Sequence, residues 1–210
     1  MVEPQLTHLM DHQPPEAVLE EVERTIAMAA PAADLAPVRA AHADTCRLFR
    51  GEYPGYRACT NAYHDLDHTM HVFLAMAQLI HGYTVSGRTL SDRGIVLGLI
   101  ASLYHDIGFI QTDDDVEGTG AKYTSVHEER GIEFAKSYLL GHGFSAADTE
   151  MMESIIRVTC LRESFDGIGF ASDEACELGK ILGSADLLGQ MGDRLYLEKL
   201  PFLYREFQEA

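Results

Sequence analysis

Three short segments carry the residues most able to do chemistry. The first, Tyr63-His64-Asp65-Leu66-Asp67-His68-Thr69-Met70-His71, sets His64 and His68 four residues apart and His71 three further on. On a helix those three imidazoles share roughly one face, and an i, i+4 pair presents two nitrogens to one cation. A solvated polar stripe would give the same spacing. The second segment, Leu103-Tyr104-His105-Asp106-Ile107-Gly108, places a His-Asp pair at the end of the most apolar run in the chain. Burying such a pair is costly unless each group is paired or bound to a cation, although a helix cap or a satisfied core histidine remains open. The third, Ala185-Asp186-Leu187-Leu188-Gly189, puts a carboxylate among small and apolar residues, where helix propensity and burial both disfavour it. Taken alone, that segment favours a surface-facing Asp186 over a buried one.

The elements that must position these groups read as helices. Helical spacing of apolar residues, with capping residues at several starts, predicts segments over 16–30, 34–49, about 62–83, 91–107, 125–140, 145–161, 173–189 and 193–208. The segment from Ser91 is apolar nearly all round (Ile95, Val96, Leu97, Leu99, Ile100, Leu103) and is expected to be the buried central helix. Two Gly-rich polar stretches, 111–124 and 165–172, are expected to be loops, and loops over a rigid scaffold often carry specificity. No alternation long enough for a sheet is present. The expectation is an all-α, single-domain helical bundle, with N-terminal helices over 1–55 packing on a metal-binding helical domain over 56–210.

Together the three segments resemble the motif of the HD superfamily of metal-dependent phosphohydrolases: a His, then a His-Asp pair, then a distant Asp. The similarity runs from Tyr63 to about Asp186. It implies a bundle of the HD-domain type in which His68, His105, Asp106 and Asp186 hold a divalent metal. The opening Tyr63 to His68 is also similar to the Tyr-His-Asn-x-x-His signature of cyclic-nucleotide phosphodiesterases, with Asp65 in place of the Asn. That resemblance implies His64 as the general acid for the leaving alkoxide. Ser125-Val126-His127-Glu128 is placed like the segment that supplies a second-metal ligand in dinuclear members, which makes His127 a candidate ligand. The stretch Ile156-Arg157-Val158-Thr159-Cys160 lacks the His-His pair of members that act on cyclic-di-GMP.

Mixed imidazole and carboxylate ligands suit Zn, Mn, Fe, Ni or Co, so one or two such ions are expected, with Mg an option at a second site. Phosphate oxygens also need fixed cations, and Lys122, Arg130 and Arg157 lie nearest the motif segments in sequence. The expected activity is metal-dependent hydrolysis of a small phosphoester, a nucleotide or cyclic nucleotide. A di-iron oxygenase and a non-catalytic nucleotide sensor are the alternatives.

Bulk composition bounds the rest. The chain has 210 residues, 46% hydrophobic and 23% charged, an ordinary globular profile with room for one sizeable core. Its 16 basic and 33 acidic residues give a net charge of −17, which opposes nucleic acid polymers and anionic lipid. The longest apolar stretch is about half a membrane span, and the N-terminus shows no basic patch followed by an apolar run. Cys46, Cys59, Cys160 and Cys176 form no compact framework, which suits reduced thiols. A cytoplasmic protein with a small phosphorylated substrate is expected, and a homodimer is left open.

Overall fold

The computed structural model describes residues 13–160 and 162–210. Eight α-helices account for most of this length: α1 (Pro15–Ala29), α2 (Ala36–Arg50), α3 (Leu66–Val85), α4 (Asp92–Tyr104), α5 (His127–Gly141), α6 (Ala146–Ile156), α7 (Asp173–Met191) and α8 (Tyr196–Glu209). No strand forms among the described residues; an isolated bridge between Tyr56 and Thr112 is the nearest approach to one. The all-α bundle expected from the sequence is the fold observed.

Local chemistry sets the helix ends. Ser91 and Ser172 cap α4 and α7 by accepting hydrogen bonds from Gly94 N and Ala175 N, satisfying amides that a helix start leaves orphaned. Ser145 and Asp148 form a reciprocal capping box on α6. Helix α2 ends on Gly51 at φ 72°, where a Cβ would also lie 2.6 Å from Ala58 N, so only glycine serves there.

Helix α4 is the centre of the bundle. Every residue from Gly94 to Tyr104 is buried, because α4 packs against α2, α3, α6 and α7 at once. Helix α1 lies on α3, α3 on α7, and α5 on α6. One core cluster runs from Val18 through Phe73 and Leu99 to Ala185, so residues of α1 and α2 share the core of the later helices. Helix α8 is the exception: Glu206 is its one buried residue, and its main neighbour is the turn at Gly120–Tyr123. None of the helices is long and apolar enough to cross a membrane.

Three expected boundaries are corrected. The helix placed from about residue 62 begins at Leu66, because the Asp65 side chain accepts the His68 amide and caps it. His64 therefore precedes α3 and does not share a helical face with His68. The helix expected to run to residue 107 stops at Tyr104 and gives way to a tight turn at Ile107–Phe109. The helix expected to reach Leu161 ends at Ile156, followed by a turn at Arg157–Thr159, and Leu161 itself lies outside the described residues.

Candidate metal centre

The early stop of α4 is what makes the site. Successive residues on a continuous helix point about 100° apart, so His105 and Asp106 could not both face one point. Asp106 leaves the helix at φ −108°, ψ 0°, the sparsely used bridge region where many active-site residues sit. Both side chains then turn toward the first turn of α3, which carries His68. Gly108 permits the turn: a Cβ there would lie 1.8 Å from the His127 carbonyl oxygen, so α5 can close on this segment only over a glycine.

His68, His105 and Asp106 are buried, at 5%, 1% and 4% exposure, and their donor atoms all lie within 4.8 Å of one another, a group that could hold a metal ion. His68 Nε2 lies 3.3 Å from Asp106 Oδ2, and His105 Nε2 lies 3.2 Å from the same oxygen. From the middle of α7, Asp186 brings Oδ1 to 3.3 Å from His68 Nε2 and 3.9 Å from His105 Nε2. With metal–ligand bonds of about 2.0–2.2 Å, neighbouring donors around one cation stand about 3.0–3.5 Å apart. Three of the four spacings fall within those edges and are long for direct hydrogen bonds, and the fourth, His105 Nε2 to Asp186 Oδ1, is wider at 3.9 Å.

Polar bookkeeping agrees. His68 Nε2, His105 Nε2 and Asp106 Oδ2 are all buried without a hydrogen-bond partner. One orphaned buried group costs about 1–3 kcal/mol; three aimed at one another call for a shared partner. His105 Nδ1–H donates to the Ser102 carbonyl at 2.9 Å, leaving the Nε2 lone pair for a cation. Gln190, one turn beyond Asp186, donates to its Oδ1 at 3.1 Å and accepts from the Tyr63 hydroxyl at 3.1 Å.

The electrostatics demand positive charge here. Burial would depress the His68 imidazole, but Asp106 and Asp186 outweigh it and push the group up to about 10. Burial likewise opposes charge on His105 and is overcome by Asp106. The Asp106 carboxyl, which burial alone would raise, is held well below the usual carboxylate range by His105, with His64 and His68 adding to the effect. The paired carboxylates favour positive charge at this point, and a divalent cation would meet that demand.

A second oxygen of Asp106 faces elsewhere. Its Oδ1 lies 3.6 Å from His127 Nε2, while His127 Nδ1–H donates to the Thr124 carbonyl at 3.0 Å. Glu128 stands beside it, buried, with Oε2 3.4 Å from His127 Nδ1. The two oxygens of Asp106 thus look toward two adjacent donor sets.

His64 arrives from the loop before α3. Its Nδ1–H donates to Glu206 Oε2 at 2.6 Å, and its ring stacks on Phe109, which stacks in turn on His127 with centroid separations of 4.5 and 4.1 Å. Glu206 also accepts from Ala62 N at 2.9 Å, Tyr63 N at 2.7 Å and Asn61 Nδ2 at 3.2 Å. Burial favours the protonated Glu206, but pairing with His64 prevails and lowers its pKa. One carboxylate of α8 therefore fixes both the loop and the imidazole tautomer.

The structure brings His64, His68, His105, Asp106, His127 and Asp186 together, and leaves the expected phosphate contacts outside. Lys122 pairs with Asp115 and the Glu117 carbonyl. Arg130 donates to the Gly108 and Ile110 carbonyls and covers the Tyr123 ring. Arg157 pairs with Glu153 and Glu163. Each cation neutralises local structure, so sequence proximity to the motifs was a poor guide to it. His71 lies outside the donor group; burial lowers its pKa and its Nδ1 has no partner. Glu206, Gln190, Phe109 and Glu128 went unnoticed in sequence because each is an ordinary member of a helix or an apolar run.

A cavity of about 410 Å³ opens beside Asp106 and Asp186, walled by His64, Phe109 and His127. A larger one of about 590 Å³, between Tyr53, Phe134 and His142, contains none of the six clustered residues. Among known proteins, a family model described as Npun_R2479-like matches residues 113–210, a stretch that includes His127, Asp186 and Glu206 but not His68, His105 or Asp106. No curated protein and no solved structure matches the chain significantly.

Proposed function

We propose that the protein is a metal-dependent hydrolase of a small phosphoester, with a centre of the HD type held by His68, His105, Asp106 and Asp186 and a second position beside His127. The observation that carries this reading is the convergence of three buried donor atoms, His68 Nε2, His105 Nε2 and Asp106 Oδ2, none of which has a hydrogen-bond partner. Bound transition ions supply Lewis acidity and lower the pKa of a water ligand from about 15.7 toward 7.

The protein's own groups do the remainder. Gln190 orients Asp186, and the Ser102 carbonyl orients His105, so both ligands are positioned before substrate enters. Asp106, with Oδ2 near His68 and His105 and Oδ1 near His127, would serve both donor sets. Hydrolysis forms a P–O bond from water, breaks the ester P–O bond and requires one proton for the departing alkoxide. His64 is the group placed to deliver it: Glu206 holds its Nδ1–H, leaving Nε2 as the exchanging nitrogen. Phe109 packs flat on the His64 ring and limits its rotation. Cytoplasmic location and a small phosphorylated substrate belong to the same reading.

The test couples elemental analysis of purified protein to a phosphate-release screen over nucleotides, cyclic nucleotides and aryl phosphates. Bound transition metal together with turnover is expected. Protein that takes up no metal after incubation with Mn, Zn or Fe salts would rule the reading out. A di-iron oxygenase is the second reading, favoured by the buried Glu128, whose unpartnered Oε2 adds a carboxylate oxygen beside His127. Visible absorption from bound iron with no phosphate release would select it.

A further inference from the structure

The residues expected to hold phosphate are committed elsewhere, yet the arginine that lines the cavity is not. Arg162 follows the turn after α6, is exposed, and makes no hydrogen bond, ion pair or ring contact with the described residues. In a chain of net charge −17 such an arginine would ordinarily find an acidic neighbour. It is also the one Lys or Arg among the described residues that line the 410 Å³ cavity. The deep end of that cavity is the carboxylate and imidazole cluster. Much of the remaining wall is apolar: Phe109, Leu187, Leu203 and Phe207. Leu187 and Phe207 are 60% and 48% exposed, so this apolar surface continues to the mouth.

These features together constrain the ligand. A triphosphate would carry roughly four negative charges into an acidic protein whose cavity offers one guanidinium among its described lining residues. A single phosphoryl group needs no more than that, because a guanidinium fork can take two of its oxygens. The volume sits toward the small end of ligand cavities, which span roughly 300–1,000 Å³. Apolar walls add affinity for an aryl or alkyl body and none for a second phosphate.

We propose that the substrate is an ester with a single phosphoryl group and an aryl or otherwise apolar alcohol, and that Arg162 is the cation that binds its phosphoryl oxygens. The inference rests on the hydrolase reading for the reaction, but its binding component stands separately. Arg162 is a specificity residue that sequence position alone did not mark, since Arg157 lies nearer the motif helix and is consumed by Glu153.

The experiment uses manganese-loaded wild type, Arg162→Ala and Arg162→Lys. Affinity is measured by thermal shift for phenylphosphonate, which cannot be hydrolysed at an ester bond, and for pyrophosphate; steady-state kinetics use p-nitrophenyl phosphate, bis(p-nitrophenyl) phosphate and ATP. Phenylphosphonate is expected to bind wild type more tightly than pyrophosphate does, Arg162→Ala to weaken it about tenfold, the size of one partly exposed charge-assisted contact, and Arg162→Lys to recover part of the loss. KM for the aryl esters should rise by a similar factor in Arg162→Ala, with kcat changed by no more than about threefold. Equal phenylphosphonate affinity in wild type and Arg162→Ala, or preference for pyrophosphate and ATP, overturns the inference even if esters are hydrolysed. Phenylphosphonate binding that depends on Arg162 without hydrolysis of any ester instead upholds the anion site and defeats the hydrolase reading.

Discussion

The two ends of the cavity are built on different principles. At the metal end, His68 sits in the first turn of α3 and His105 and Asp106 directly follow α4, all three buried, with the His105 ring held by the Ser102 carbonyl one turn back. At the mouth, the wall comes from loops and from α8, which buries one residue, Glu206, and leaves Leu197 at 73% and Tyr204 at 64% exposure. The contrast separates two demands. Metal ligation needs donors fixed to a few tenths of an ångström, which only close-packed helices supply. Substrate choice needs side chains that can change without unfolding the core, and a peripheral helix held by a few polar contacts, Glu206 to the His64 loop and Glu209 to Thr119, permits that.

The sharpest test of the contrast deletes ligands at the packed end. Asp106→Ala and His105→Ala are expected to abolish bound metal and to lower turnover by more than about 100-fold, read by elemental analysis beside phosphate release. Undiminished metal in both variants would place the ion elsewhere. His64→Ala should be the next largest: turnover falls about 10²–10⁴-fold while metal content stays at the wild-type level.

Glu206→Gln probes the buried tie of α8, the helix that Glu209 also holds through Thr119. Loss of the carboxylate leaves the His64 tautomer unfixed and weakens the bonds to Ala62 and Tyr63, so turnover should drop by roughly 10–100-fold with metal retained. Amide hydrogen exchange of α8 should accelerate while α4 stays protected. Matching rates in α4 and α8 of the wild type would erase the distinction between the two ends.

The smallest effect lies far from the cavity, where Arg93 grips Asp148 through two hydrogen bonds of 2.9 and 2.7 Å and Asp148 caps α6. The Arg93 guanidinium beside it, together with Ser145, outweighs partial burial and holds the Asp148 carboxyl down at about 2. A depressed carboxyl stabilises the fold at pH above its unfolded value near 4, and that contribution fades as pH falls through about 2. Asp148→Ala should therefore cost about 1 kcal/mol at pH 7, or a few degrees in Tm, discounted for a pair open to solvent. The difference from wild type should shrink toward pH 2. A gap that widens in acid would reverse the assigned sign.

Much of this was legible before any coordinates. The apolar run from Ile95 to Leu103 identified the central helix, because a helix apolar on every side must be buried on every side. His105, Asp106 and Asp186 stood out as polar groups in apolar settings, and the resemblance to the HD motif joined them with His68 into one set. The roles of Lys122, Arg130 and Arg157 were not legible, since the acids and carbonyls that absorb them come from other segments. Glu206 gave no signal at all: on an amphipathic terminal helix one glutamate reads like the next.

Helix positions were thus set by local rules, hydrophobic period and capping residues, while the candidate metal donors were marked by costly settings and by the resemblance to the HD motif. Their convergence was not set locally. Whether Asp186 meets His68 depends on how α7 crosses α3, whether His105 and Asp106 share a target depends on where α4 breaks, and which arginine stays free depends on every other acidic group in the fold. Such outcomes belong to tertiary structure because they are sums over contacts between residues far apart in the chain, and no local window contains both partners.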